Sequence, residues 1–247
     1  MFLAYLKSDC LKTKHLSIRA AHLFIPVVAA ILFIAYYSYA PWDNLKKIST
    51  YYQVLGMGLP FLIGLFCAML SEQEQTAGSF QAMLMTPQKL IPFLSKLLLL
   101  LIFGLAALVL ASAIFGIAFL VVLGNDLVGI DFYLFSSIIM LGSSIPMYIL
   151  HLFLSLVYNK GVSIGLGIVE SLISALLLTG LGNFIWKYVP ASWPARIATT
   201  FLSAYNGDTC ASTELNGAFS ICFIVVIGAM ALYIFWANHW QGTKSND

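Results

Sequence analysis

The chain has 247 residues, of which 61% are hydrophobic and 9% charged, with a mean hydropathy of +0.93. A soluble domain carries roughly 25% charged residues, so an ordinary water-soluble globule is excluded and a lipid bilayer is the expected solvent. The formal net charge of +2 is too small to argue for nucleic acid as a partner.

In chain order, residues 2–18 come first. Phe2, Leu3, Leu6, Cys10 and Leu11 fall near one side of a helix, with Lys7, Lys12 and Lys14 away from it. This predicts a basic helix over 1–19 lying along the lipid headgroups; a charged tail that only sets orientation is the alternative. Beyond it, residues 20–42, 48–71, 97–125, 132–159 and 215–243 contain no Asp, Glu, Lys or Arg, and 161–186 contains only Glu170. About 20 apolar residues cross a bilayer as a helix. Six spans are therefore predicted, near 20–40, 53–71, 93–123, 132–157, 162–182 and 217–238, giving an all-α polytopic fold with a single membrane domain over 1–247. No segment alternates as a transmembrane barrel strand would. The first span is longer than the apolar region of a signal peptide and is expected to be retained.

Orientation follows the Lys and Arg near the span ends. One side holds Lys7, Lys12, Lys14, Arg19, Lys89, Lys96, Lys160 and Lys244; the other holds Lys46, Lys47, Lys187 and Arg196. The richer side is expected to be cytoplasmic and carries both termini. Cys210 then stands alone outside, so no external disulfide pair is expected.

Two connections are informative. In the loop between spans 2 and 3, Glu72 and Glu74 follow Ser71 and suit a helix start. Phe80, Met83, Leu84 and Met85 form an apolar cluster that Pro87 stops. A short amphipathic helix is predicted here, its apolar side resting in a protein groove or on lipid. The 183–216 connection contains Trp186, Tyr188, Trp193 and Tyr205, which suit the aromatic belt of a membrane interface. Pro190 and Pro194 break it into pieces, and one or two short helices dipping into the outer leaflet are expected rather than an exposed loop.

The sequence has no P-loop, no clear internal repeat, no C-x-x-C and no G-x-S-x-G or H-E-x-x-H. No catalytic residue, metal site or cofactor of its own is assigned.

The 72–97 stretch carries a resemblance. Glu72-Gln73-Glu74, then Ala77-Gly78-x-Phe80-Gln81-x-Met83-Leu84-x-Thr86-Pro87 and Ser95-Lys96-Leu97 resemble the first cytoplasmic loop of ABC-2-type permeases, six-span subunits of ATP-driven exporters. Pro26, Tyr36-Tyr37, Pro41-Trp42 and the Lys12-x-Lys14 pair resemble the MutG-like permease subunits of lantibiotic self-protection transporters. The similarity covers residues 1–120. It implies that the loop helix, with Glu72, Glu74, Gly78, Phe80, Met83, Leu84, Thr86 and Pro87, is a coupling helix seated in a cleft of a separate ATPase subunit. It also implies an N-terminal interfacial elbow and short re-entrant helices between spans 5 and 6. Two permease chains, unlike or identical, would sit over two ATPase copies, which bind the ATP. The lantibiotic branch clears pore-forming peptides from the bacterial plasma membrane.

Within the spans, Glu170 is the one acid at membrane depth, and such a residue is costly unless partnered. It could pair with His151 across the short turn between spans 4 and 5. Alternatively, Glu170 is protonated and bonded to Ser163 or Ser174 while His151 reaches the interface. A structural role is favoured over a substrate or proton role. Gly161-x-x-x-Gly165 is a small-xxx-small pattern, expected to meet a second permease, with Ser163, Gly167, Glu170 and Ser174 on the opposite side.

The expected function is a permease subunit, not an enzyme, of an ABC-2-type exporter expelling a lantibiotic or similar antimicrobial peptide. Export of a drug, lipid or polysaccharide is the rival within the fold; a non-transporting membrane scaffold is the rival outside it.

Overall fold

The computed structural model describes residues 2–124 and 127–242; Lys244, counted above among the basic residues, lies outside them. The helices are α1 (Phe2–Lys12), α2 (Ser17–Tyr37), α3 (Asn44–Thr76), α4 (Gln81–Leu84), α5 (Leu90–Leu123), α6 (Ile130–Val157), α7 (Lys160–Leu177), α8 (Trp193–Tyr205) and α9 (Thr209–His239), with no strand among the described residues. Six of them, α2, α3, α5, α6, α7 and α9, are long and apolar enough to cross a membrane. We call the end of the bundle that carries α1 and α4 proximal, and the other end distal.

The six helices lie where the apolar runs predict, with shifted ends. α3 begins nine residues before the predicted 53, because Asp43 caps it: its side chain accepts the Lys46 N–H at 3.0 Å. The added turns bury Ile48, Tyr51 and Tyr52, and Tyr51 stacks on Phe115 at 3.7 Å. α9 begins at Thr209, not 217, because the Asp208 carboxylate accepts from Cys210 N and Ala211 N at 2.9 and 3.1 Å. α7 stops at Leu177, not 182. Its exposed carbonyl end is capped from α8: Arg196 donates to Leu177 O at 2.7 Å and Thr179 O at 2.8 Å. A guanidinium there satisfies orphan carbonyls and opposes the negative pole of the helix.

α3 is the central helix, packed by α6, α7 and α8; α2 lies on α5, α5 on α6, and α9 on α6 and α8. α8 reaches into the bundle so closely that a Cβ at Gly56 would stand 2.4 Å from the Ala195 backbone. Only glycine permits that approach. The segment between spans 5 and 6 thus forms short helices returning into the fold, as expected, but its aromatic residues behave differently. Trp186 and Trp193 are each 1% exposed, in a core with Leu177, Ile197 and Leu215. Their indole N–H groups are taken by Glu214 at 3.2 Å and the Lys187 carbonyl at 3.1 Å. Of the four residues assigned to the interface, only Tyr188 and Tyr205 are exposed.

α1 also departs from its predicted pattern. Leu3 and Leu11 are exposed, Leu6 and Cys10 are half-buried against the proximal core, and the residue turned fully inward is Asp9. Asp9 is the only acid before Asp43, and it places the helix.

Candidate functional site

Asp9 leads to a buried set of charges at the proximal end. Lys96 Nζ lies 2.8 Å from Glu74 Oε1 and 3.2 Å from Asp9 Oδ1. Lys12 Nζ reaches the same Glu74 oxygen at 2.8 Å and Asp9 at 3.8 Å. Ser95 Oγ donates to the other Asp9 oxygen at 2.6 Å. Asp9, Glu74 and Lys96 are buried at 3, 3 and 1% exposure, and with Lys12 the four charges cancel. Burial would lower the Lys12 pKa, but the hydrogen bond and attraction to Glu74, with help from Asp9, hold it above the ordinary 10.5. Its stabilising contribution is complete below that value and is lost only as pH rises through the raised one. The cluster ties α1, the end of α3 and the start of α5 together.

The 72–87 segment is built on this tie, and it corrects three readings. First, Glu72 and Glu74 do not start a helix; they lie in the last turns of α3. Glu72 pairs with Lys160 at the start of α7. Glu74 is used inside the chain and cannot meet a partner's surface. Second, the helix is one turn, Gln81–Leu84. It follows a left-handed run: Gly78, Ser79 and Phe80 have φ of 146, 50 and 65°. Two consecutive non-glycine residues in this region store backbone strain, held in part by the Phe80 N–H on the Glu74 carbonyl at 3.3 Å. Third, that backbone turns the apolar cluster inward. Phe80 and Met83 are each 3% exposed, and Phe80 meets the Trp240 ring edge-on at 5.6 Å. Leu84 is half-buried. Thr86 gives its proton to the Ala82 carbonyl at 3.0 Å and accepts from Tyr5 of α1 at 2.7 Å. The outward surface is Gln75, Thr76, Ala77, Gly78, Ser79, Gln81, Ala82, Met85 and Pro87, mostly small and polar, with Met85 81% exposed.

His151 and Glu170 do meet. Glu170 Oε2 lies 2.8 Å from His151 Nε2, and Ser163 Oγ lies 3.1 Å from Nδ1. Ser163 itself donates to the Gly64 carbonyl at 3.0 Å, so Nδ1 must carry a proton and Ser163 must accept it. The His151–Glu170 pair then shares one further proton between nitrogen and carboxylate. Ser174 is not a partner; its hydroxyl is buried without one. The set joins α6, α7 and α3. Glu170→Gln keeps an N–H for Nε2 and should retain the thermal stability of the wild type. Glu170→Leu strands Nε2 and should cost roughly 0.6–2 kcal/mol, read as a lower melting temperature in detergent. Equal melting of both variants would mean that the bond contributes nothing.

The two faces of α7 are also distinct. Gly167 and Ser163 are pressed on α3, where a Cβ at 167 would stand 2.8 Å from the Pro60 carbonyl. Ser171 accepts the Phe61 N–H at 3.1 Å beside that proline. Gly161 and Gly165 are exposed, and a Cβ at 165 would meet nothing within 4 Å.

The profile of a family described as ABC-2 family transporter protein matches residues 5–177. The chain belongs to the ABC-2 transporter family. Neither curated proteins nor solved structures gave a match. The matched stretch runs from α1 through α7, so it contains the charge cluster, the 72–87 segment and the His151–Glu170 pair. Membership makes the chain a multi-pass membrane permease of an ABC-2 exporter. Subunits of this family are generally not catalytic themselves, and membership implies an ABC ATPase as partner.

Lys96 and Glu74 were visible in the family-like stretch, but Asp9, Tyr5 and Trp240 were not assigned a role from the sequence. The signal for Asp9 was its solitude among lysines. For Tyr5 and Trp240 there was none, since aromatic residues are common throughout this chain.

Proposed function

We propose that this ABC-2 permease works in a bacterial plasma membrane, with both termini and the 75–89 surface in the cytoplasm, and expels a lantibiotic or similar pore-forming peptide. It pairs with a second six-span permease or a copy of itself over two ATPase subunits. The observation that carries this reading is the fastening of the short α4 turn. Through Glu74, Lys96, Asp9 and the Tyr5–Thr86 bond, anything that pushes on this surface pushes at once on α1, α3 and α5. A rigid, strained connection of this kind suits the delivery of ATPase movement into spans. The docking surface is then the outward side, Gln81, Ala82 and Met85, while Phe80 and Met83 hold the connection to the bundle. The peptide substrate rests on the resemblance of residues 1–120 to lantibiotic self-protection permeases.

The test is Ala82→Arg combined with Met85→Glu, expressed with the cognate ATPase. Both side chains point away from the core, so insertion and melting should be unchanged. ATPase association and lantibiotic-stimulated hydrolysis should fall at least tenfold, since interface anchors dominate binding energy (a tenfold loss is about 1.4 kcal/mol). Full stimulation at normal expression would remove this surface from the ATPase contact. Stimulation by a lipid or drug but not by a lantibiotic would keep the coupling and replace the substrate.

A further inference from the structure

The distal end of α3 carries charge that the described residues do not balance. Lys96 and Lys47 are both buried, at 1 and 7% exposure. Lys96 lies between two carboxylates. The Lys47 ammonium makes no ion pair and no hydrogen bond among the described residues. Asp43, one turn away, spends its carboxylate on the Lys46 N–H. The other distal acids are also engaged: Asp131 takes the Tyr205 hydroxyl, Asp208 caps α9, and Glu214 pairs with Lys187. A cation drawn largely out of water costs free energy until an anion meets it.

The surroundings of this ammonium favour an anion. Lys47 is the fourth residue of α3, where the helix presents its positive pole. Helical side chains lean toward the N-terminus, which carries the Lys47 stem back over Asn44. The N–H groups of Asn44 and Leu45, in that first turn, have no carbonyl to reach, and the Asp43 cap takes only Lys46 N. The stem is buried, yet Nζ is not among the sealed polar atoms of the fold, so a ligand can reach it. The depth is that of lipid headgroups. Tyr36 and Tyr39 are exposed just before α3, Tyr36 meets the Trp42 ring edge-on at 5.7 Å, and Lys46 Nζ stands 5.2 Å over that ring. Such rings mark a membrane interface.

We propose that the N-terminus of α3 holds the phosphodiester of an anionic phospholipid from the distal leaflet. A phosphate oxygen accepts from the Lys47 ammonium, and the free N–H groups of Asn44 and Leu45 supply further donors. Lys46 and Lys47 against Asp43 leave one positive charge, to which the helix pole adds about half a charge. A headgroup of net charge minus one therefore fits better than a zwitterionic one. This site does not depend on the export substrate proposed above.

The test compares the melting of the full chain in detergent with and without phosphatidylglycerol, and counts bound lipid by native mass spectrometry. The lipid should raise the melting temperature of the wild type and persist as an adduct. Lys47→Met keeps the stem and removes the unpaired charge. Without lipid it should melt at or above the wild type; with lipid it should show no upward shift, and its adducts should fall about tenfold, the worth of a hydrogen bond to a charged group. A merely structural lysine would instead lower the melting temperature when removed. Lys47→Arg should restore the lipid shift, and Lys46→Met should retain most of it. If Lys47→Met fails to insert, Asn44→Pro carries the test: proline suits the first helical position but deletes one donor, and adducts should fall roughly threefold. An undiminished lipid shift in Lys47→Met, unchanged adducts in Asn44→Pro, equal binding of phosphatidylcholine, or displacement of the lipid by inorganic phosphate would each overturn the proposal.

Discussion

Lys96→Met should remove most of the folded permease. The ammonium is 1% exposed and sits between Glu74 and Asp9. Taking it away leaves two buried carboxylates sharing one half-exposed lysine. Breaking a buried pair by deleting one partner costs about 3–5 kcal/mol, a large share of a typical folding free energy of roughly 5–15 kcal/mol. The loss should appear as aggregation on size-exclusion chromatography and a lowered melting temperature. The double variant Glu74→Met with Lys96→Met removes one charge of each sign and leaves Asp9 with Lys12 and Ser95. It should recover much of the loss, because hydrophobic replacement of a whole buried pair is often neutral. An exposed, hydrated pair would be worth only about 0–1 kcal/mol. A Lys96→Met protein that melts like the wild type would therefore place the cluster in water and end its role as a fastening.

Gly167→Val should be the second severe change, and its value lies in contrast with Gly165→Val two residues away. At 167 the new Cβ meets the Pro60 carbonyl at 2.8 Å and the Phe61 Cα at 3.1 Å. Backbone atoms cannot rotate aside, so α7 must move off α3. Overpacking of this kind costs about 1–3 kcal/mol, and the shift also strains the Phe61–Ser171 bond and the Gly64–Ser163–His151 set. At 165 the same side chain enters open space, and valine is a better helix former than glycine. Gly165→Val should fold at least as well as the wild type. If a second permease covers the exposed Gly161/Gly165 stripe, its co-purification should fall in Gly165→Val with the melting temperature unchanged. Equal melting of the two valine variants would contradict the assignment of the α7 faces.

The number and approximate placement of the spans, and the family, were legible from the amino-acid sequence, while the span ends were set by caps and packing. The reason is that a bilayer offers the backbone no hydrogen bonds, so apolar stretches about 20 residues long must become helices. The 72–97 stretch carried a recognisable pattern, and the family match from residue 5 to 177 includes it. What the sequence did not determine was which way side chains face. In a soluble helix the polar side marks the outside; in α5, apolar over most of its 34 residues, lipid and core demand the same chemistry, and periodicity loses its meaning. The Phe80–Met83 cluster illustrates this. Its spacing suits a docking face, a lipid face or a core face equally well. Only the left-handed turn at Ser79 and Phe80, together with Trp240 arriving from the other end of the chain, turns it inward. Asp9 and Glu74 show the electrostatic form of the same limit: each is an ordinary acid in its own segment. It is the meeting of α1, α3 and α5, through contacts 22 to 87 residues apart along the chain, that makes them buried partners of Lys12 and Lys96, because a charge leaves water only where an opposite charge is already waiting.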